Sequence, residues 1–146
     1  MKIINISVED LIPYENNPRH NESAVDAVAE SIKQFGFLVP IVIDNNNVIA
    51  AGHTRLLAAK KLGMMEVPCV MADDLTDEQI RAFRLADNKT GELATWDFEK
   101  LDLELQEIVS FDMESFGFEL SDRGGVKLKF QKMTTMLNHL QNRKQR

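Results

Sequence analysis

The sequence predicts a mixed α/β (α+β) fold: one small mixed sheet flanked by helices in a compact domain, with further helices toward the C-terminus. Three observations lead there. Short runs rich in β-branched residues (2–6, 40–43, 47–50 and 67–71) alternate with stretches of helical period. A chain of 146 residues is long enough for one core that buries roughly two-thirds of its unfolded surface. Val48, Ile49, Ala50 and Ala51 run straight into Gly52, and the glycine opens a helix.

Taken in order, residues 2–6 read as a first strand, followed by a capped turn over Ser7, Val8, Glu9 and Asp10. Asn16, Asn17, Pro18 and Arg19 are loop chemistry, because the residue before a proline avoids the helical region. Over residues 23–35, Val25, Val28, Ile32 and Phe35 recur at helical spacing, and Gly36 stops the run. Residues 40–43 and 47–50 are two strands joined by a hairpin turn at Asp44, Asn45 and Asn46. The helix opened by Gly52 stops at Gly63, a residue suited to a left-handed C-cap. Residues 67–71 make a strand with Pro68 near its start, as an edge or entry position tolerates.

Thr76 and Gln79 have capping-box spacing, and Ile80, Phe83 and Leu85 carry the next helix to residues 85–89, where Gly91 is expected to interrupt. Residues 97–109 follow as an amphipathic helix with Leu101, Leu105 and Ile108 inward. Residues 111–120 form a phenylalanine-rich segment, and Trp96 and the phenylalanines are expected in the core. Residues 121–125 read as a linker, and 126–146 as a strand and a short helix. The division expected is a domain at 1–95, a helical extension at 96–120 and a basic tail at 121–146.

Charge is spread unevenly. Residues 1–120 carry a net −12 and residues 121–146 a net +6, giving −6 for the whole. An acidic body with a basic tail puts any nucleic-acid contact in the tail, in a local pocket or on a partner enzyme, not on a broad face. Cys69 is the single cysteine, so neither an intramolecular disulfide nor a cysteine metal cluster can form. No membrane span or signal sequence is evident, and the cytoplasm is the compartment expected.

Chemistry concentrates at Gly52, His53, Thr54 and Arg55. A strand–glycine–helix turn aims unpaired backbone N–H groups and the positive end of a helix at one point. A glycine there lets an anion approach closely, and Arg55 adds a forked donor matched to phosphate. The competing readings are structural. Gly52 also serves a tight turn, Arg55 pairs with Asp87 to tie two helices together, and Asn88 is a helix C-cap.

The order of three boxes resembles the ParB/sulfiredoxin-like family, the N-terminal domain of ParB partition proteins. The first is Pro13, Tyr14, Asn17, Pro18 and Arg19. The second runs from Ser31, Ile32, Gly36 and Phe37 through Pro40 to Gly52, His53, Thr54 and Arg55. The third is Leu85, Ala86, Asp87, Asn88 and Lys89. The form of the third box, with Trp96 and Asp97 after it, is most similar to the branch associated with phages and DNA methyltransferases. The resemblance implies a nucleoside triphosphate, CTP or ATP, with magnesium. It places phosphate contacts at Arg19, Gly52, His53, Thr54 and Arg55, and magnesium at Asp87 and Asn88.

His53 and Thr54 depart from the ParB form of the turn, which carries Glu and Arg there. Sulfiredoxin chemistry is rejected, since it needs a cysteine where His53 stands. About fifty residues follow Thr95, too few for the DNA-reading and dimerisation domains of a partition protein. The function expected is a nucleotide-binding accessory module beside DNA-processing or DNA-modifying machinery of a phage or mobile element. A metal-dependent nuclease or nucleoside triphosphatase is the alternative, with His53 and Asp87 as its catalytic candidates. A third possibility is a protein–protein contact module, including a homodimer.

Overall fold

The structure is a computed structural model, and it describes residues 1–19 and 22–118. The elements run β1 (Ile3–Ser7), α1 (Glu22–Phe35), β2 (Ile41–Ile43), β3 (Ile49–Ala51), α2 (His53–Lys61), β4 (Glu66–Met71), α3 (Asp77–Leu93) and α4 (Phe98–Glu107), with 3-10 turns at Val8–Asp10 and Met113–Phe116. The expected linker at 121–125, the strand and helix at 126–146 and the basic tail lie outside the described residues.

One four-stranded sheet takes the order β1-β4-β2-β3. β1 pairs antiparallel with β4, β4 parallel with β2, and β2 antiparallel with β3, so the sheet is mixed as predicted. Alternation along the strands puts Ile41, Ile43, Val67 and Cys69 on one fully buried face, while Val42, Pro68 and Val70 between them are only half-buried. Leu56 and Ala59 of α2, with Val8, Leu11 and Ile49, complete that core. Burying side chains of this size stabilises the fold by about 1.5–3 kcal/mol each.

Pro68 corrects one expectation. β4 is not an edge but sits between β1 and β2, with Pro68 opposite Asn5. Its missing N–H is tolerated because pairing with β2 begins one residue later, at Cys69 opposite Ile41.

The helix ends follow their signals. Ser7 caps the first turn, and Gly36 takes φ 90° where α1 stops. Asp44 Oδ1 accepts from the N–H groups of Asn46 and Val48 in the β2–β3 hairpin. Thr76 and Gln79 exchange both bonds of the capping box. α2 ends in a Schellman arrangement about Gly63, with Met64 N–H donating to Ala59 C=O and Gly63 N–H to Lys60 C=O.

α3 is longer than expected. It runs through Gly91 to Leu93. A glycine in a last turn costs a helix about 1 kcal/mol but does not end it. α1 also departs from its pattern. Ala29 is its one buried residue, Val25, Val28 and Ile32 are half-buried, and Phe35 is exposed.

Contacts divide the chain into units Met1–Thr95 and Trp96–Arg146. In the second, Asp97 caps α4, and Leu101 and Leu105 are buried. Ile108 falls outside the helix and is exposed, against expectation. Trp96 is 56 % exposed and meets Phe118 edge-on at 5.9 Å, so neither it nor the exposed Phe111 is core. Among the described residues, no helix is long and apolar enough to cross a membrane.

Candidate functional site

Gly52 forms the corner between β3 and α2. Its φ of 109° lies in the left-handed region. A Cβ there would stand 3.0 Å from Arg55 Nη2 and 3.1 Å from Ile41 Cγ1. The glycine is therefore required twice, by its backbone angle and by the guanidinium laid against it. Gly52 has no side chain to cap α2, so the first-turn amides of the helix receive no capping bond from it.

Around that corner opens a cleft of about 220 Å³ lined by Asn17, Arg19, Val28, Ala50, Ala51, Gly52, His53, Thr54, Arg55, Asp87 and Asn88. All seven residues singled out in the sequence (Arg19, Gly52, His53, Thr54, Arg55, Asp87 and Asn88) meet on its walls. Arg55 Nε is buried without a hydrogen-bond partner. A buried charged donor without a partner, on a residue that lines a polar cleft, is a demand for an acceptor. Burial pulls the Arg55 pKa down and the nearby Asp87 carboxylate partly offsets this, acting through space with no ion pair between them.

Arg19 Nη1 donates to Asn88 Oδ1 at 3.1 Å, and Asn88 Nδ2 donates to Arg84 C=O at 3.0 Å. Asn88 is thus a bridging residue inside α3, not a C-cap. His53 is also held: its Nε2 accepts the Tyr14 N–H at 3.1 Å. An imidazole that accepts at Nε2 carries its proton on Nδ1 when neutral. Burial lowers its pKa, and the Arg84 charge lowers it further.

Arg84 was missed by the sequence reading. It is only 8 % exposed. Its Nε donates to Ile49 C=O at 3.0 Å, its Nη2 lies 3.7 Å from Asp44 Oδ2, and its guanidinium sits 3.8 Å from the centroid of the Tyr14 ring. One arginine therefore fastens α3 to the strand that leads into Gly52, to the hairpin turn and to the loop that carries Arg19. The signal was present: Ile80, Arg84 and Asn88 are spaced i, i+4, i+8 on one helix face. A charge at the middle of an inward stripe is a buried charge, not a solvated one.

An apolar groove of about 420 Å³ adjoins the cleft, sharing Val28 and Arg55 with it and bounded by Ile32, Phe35, Phe37 and Val39. The half-buried stripe of α1 forms its wall. Cys69 takes no part: it is buried on β4, its Sγ donates to Val67 C=O, and burial raises its pKa.

Comparison with known proteins agrees with this architecture. The chain is 44 % identical over 80 residues to the ParB-like nuclease domain-containing protein YnaK of Escherichia coli K12, which covers 54 % of this chain and 92 % of that one. It is 34 % identical over 88 residues to a probable chromosome-partitioning protein ParB of Campylobacter jejuni, a match covering 57 % of this chain but only 31 % of the partition protein. The chain thus spans under a third of that relative. Among solved structures, the C-terminally truncated ParB of Caulobacter crescentus complexed with CTP-gamma-S superposes with a TM-score of 0.63 at 22 % identity, covering 85 % of this chain and 68 % of that one, a likeness of fold. The model of the ParB N-terminal domain matches residues 1–89, the stretch that builds the sheet, the Gly52 corner and both walls of the cleft, and the chain belongs to that family.

Proposed function

We propose that this domain binds a nucleotide, CTP or ATP, through its phosphates in the Gly52 cleft. The observation that carries the reading is the buried, unpartnered Nε of Arg55, a residue that lines a polar cleft together with Arg19, Gly52 and His53. The adjoining apolar groove suits a base or ribose, which needs a flat surface more than a charge. A relative of the same fold complexed with CTP-gamma-S supports the reading. Isothermal titration of the full chain with CTP, ATP and GTP tests it. The expected result is binding of at least one nucleotide and its loss in Arg55→Ala. No heat from any of them at millimolar concentration would sink it.

In the cell, the domain serves as a nucleotide-responsive accessory to DNA-processing or DNA-modifying machinery of a phage or mobile element. That placement rests on the form of the third box, Ala86 to Lys89. A second reading, a metal-dependent nuclease, is favoured by the name of its 44 % identical relative. Its residues would be Asp87 and His53. The geometry supplies it thinly, since His53 Nε2 is already engaged by Tyr14. Plasmid cleavage with magnesium or manganese that disappears in Asp87→Ala would establish it.

A further inference from the structure

We propose that the cleft takes the nucleotide's phosphate directly on guanidinium groups, with Arg19 standing where a divalent cation would stand, so that binding needs no metal. This rests on the nucleotide reading above and specifies what neutralises the phosphate there.

Magnesium is the ion that the resemblance implies at Asp87 and Asn88, and the donors present do not fit it. It requires a near-octahedral shell of hard oxygens, usually with carboxylates and the substrate's phosphates. Asp87 is the one carboxylate lining the cleft. The Asn88 amide oxygen accepts from Arg19 Nη1 at 3.1 Å, and rotation of the amide is resisted by its Nδ2 bond to Arg84 C=O. A cation approaching Asn88 Oδ1 would meet a guanidinium already within hydrogen-bond reach. Among the described residues no three His, Cys, Asp or Glu side chains gather to hold a metal.

The opposite requirement, for an anion, is met from several sides. Arg55 Nε is buried and unpartnered, no side chain caps the first turn of α2, and the residues of that turn line the cleft. Arg19 is exposed and held at the rim by one neutral acceptor. A phosphate oxygen that displaced Asn88 from Arg19 would replace a neutral acceptor by a charged one, turning the bond into an ion pair, and could accept from both nitrogens of the fork. The Arg19–Asn88 bond is thus a rest position that keeps the fork pointed at the cleft. Arg19 and Asn88 also form the wall shared with the neighbouring hollow of Pro18, Leu85 and Lys89.

Calorimetric titration of the full chain with CTP and ATP, once in EDTA and once in excess magnesium, separates the cases. Equal or weaker binding in magnesium is expected, because magnesium would neutralise the phosphate that the arginines seek. Arg19→Gln should weaken binding about tenfold or more under both conditions, the effect of losing one charge-assisted contact. Asn88→Asp should weaken it as well, since the new carboxylate pairs with Arg19 and repels phosphate. Thermal melting verifies that both variants are folded. Binding by the unsubstituted chain that requires magnesium, or that magnesium tightens, overturns the proposal while leaving the nucleotide reading intact. Binding under neither condition removes both.

Discussion

At the scale of single residues, the cleft depends on two positions with no freedom. Gly52→Ala places a Cβ at a left-handed φ, where an L-residue costs about 1–2 kcal/mol, and drives it against Arg55. The expected outcome is a lower melting temperature and loss of nucleotide binding by calorimetry. His53 supplies the pH dependence. Burial, then Arg84, lowers its pKa from the ordinary 6.5. The unfolded imidazole takes its proton first as pH falls, so the folded state is fully favoured above about 6.5 and loses stability below it until the folded group also protonates. Protonation would also set an N–H against the Tyr14 N–H that Nε2 accepts. His53→Gln, which retains an acceptor, should flatten the change in melting temperature between pH 7 and about 5.5. Parallel curves for the two proteins would clear His53 of that role. Gly52 and Arg55 were legible in the sequence because glycine corners and forked cations have narrow physical uses, whereas Arg19, Asp87 and Asn88 were named only through the resemblance of the boxes. Arg84 was not, because an arginine in a helix ordinarily reads as solvent-facing, and only its burial reveals otherwise.

At the scale of elements, α3 is the member that the sequence described least well. Its start was explicit in Thr76 and Gln79. Its end was not, because Gly91 reads as a stop, yet a helix tolerates one glycine when nothing demands a turn there. Its main task is to hold the arginine that ties hairpin, strand and loop together. Arg84→Ala should leave Ile49 C=O without its donor and release the Tyr14 ring, costing about 1–3 kcal/mol in chemical denaturation. It should weaken nucleotide binding although Arg84 does not line the cleft. α2 was read correctly from end to end, since glycine marks both of its boundaries. Leu56, 1 % exposed on its inner face, anchors it. Leu56→Ala should cost about 2–5 kcal/mol by the same measurement. The stripe of α1 was legible as apolar but not as open, because periodicity reports which face is apolar, not whether another element covers it.

At the scale of the whole molecule, the uneven charge decides where nucleic acid can be met. A body with net −12 over residues 1–120 repels a duplex, while residues 121–146 carry +6. Fluorescence anisotropy with duplex DNA at low salt should show weak binding by the full chain and none by a variant ending at residue 120. The binding should weaken steeply as salt rises, as expected of phosphate contacts alone. Equal binding by the two forms would move the DNA contact into the folded body. The mixed sheet was legible as a set of strands but not as an order. Strand content follows from composition, whereas placing β4 in the centre depends on pairings between residues far apart in the chain.

That strand order also has a kinetic side. β1 meets β4 with Ile3 opposite Val70 and Ser7 opposite Glu66, partners separated by almost half the chain. The β2–β3 hairpin and the β3–α2 corner close over a few residues instead. Loop-closure entropy therefore favours assembly of the phosphate corner first and docking of β1 late. β1 is an outer strand whose Ile3 and Ile4 are exposed, whereas the other edge, β3, is covered by a bridge from Ile12 to Val48. Pulse-labelled hydrogen exchange during refolding should protect β2, β3 and α2 ahead of β1. Until β1 docks, β4 presents an unpaired flank to other chains, so aggregation during refolding should be strongest in that interval.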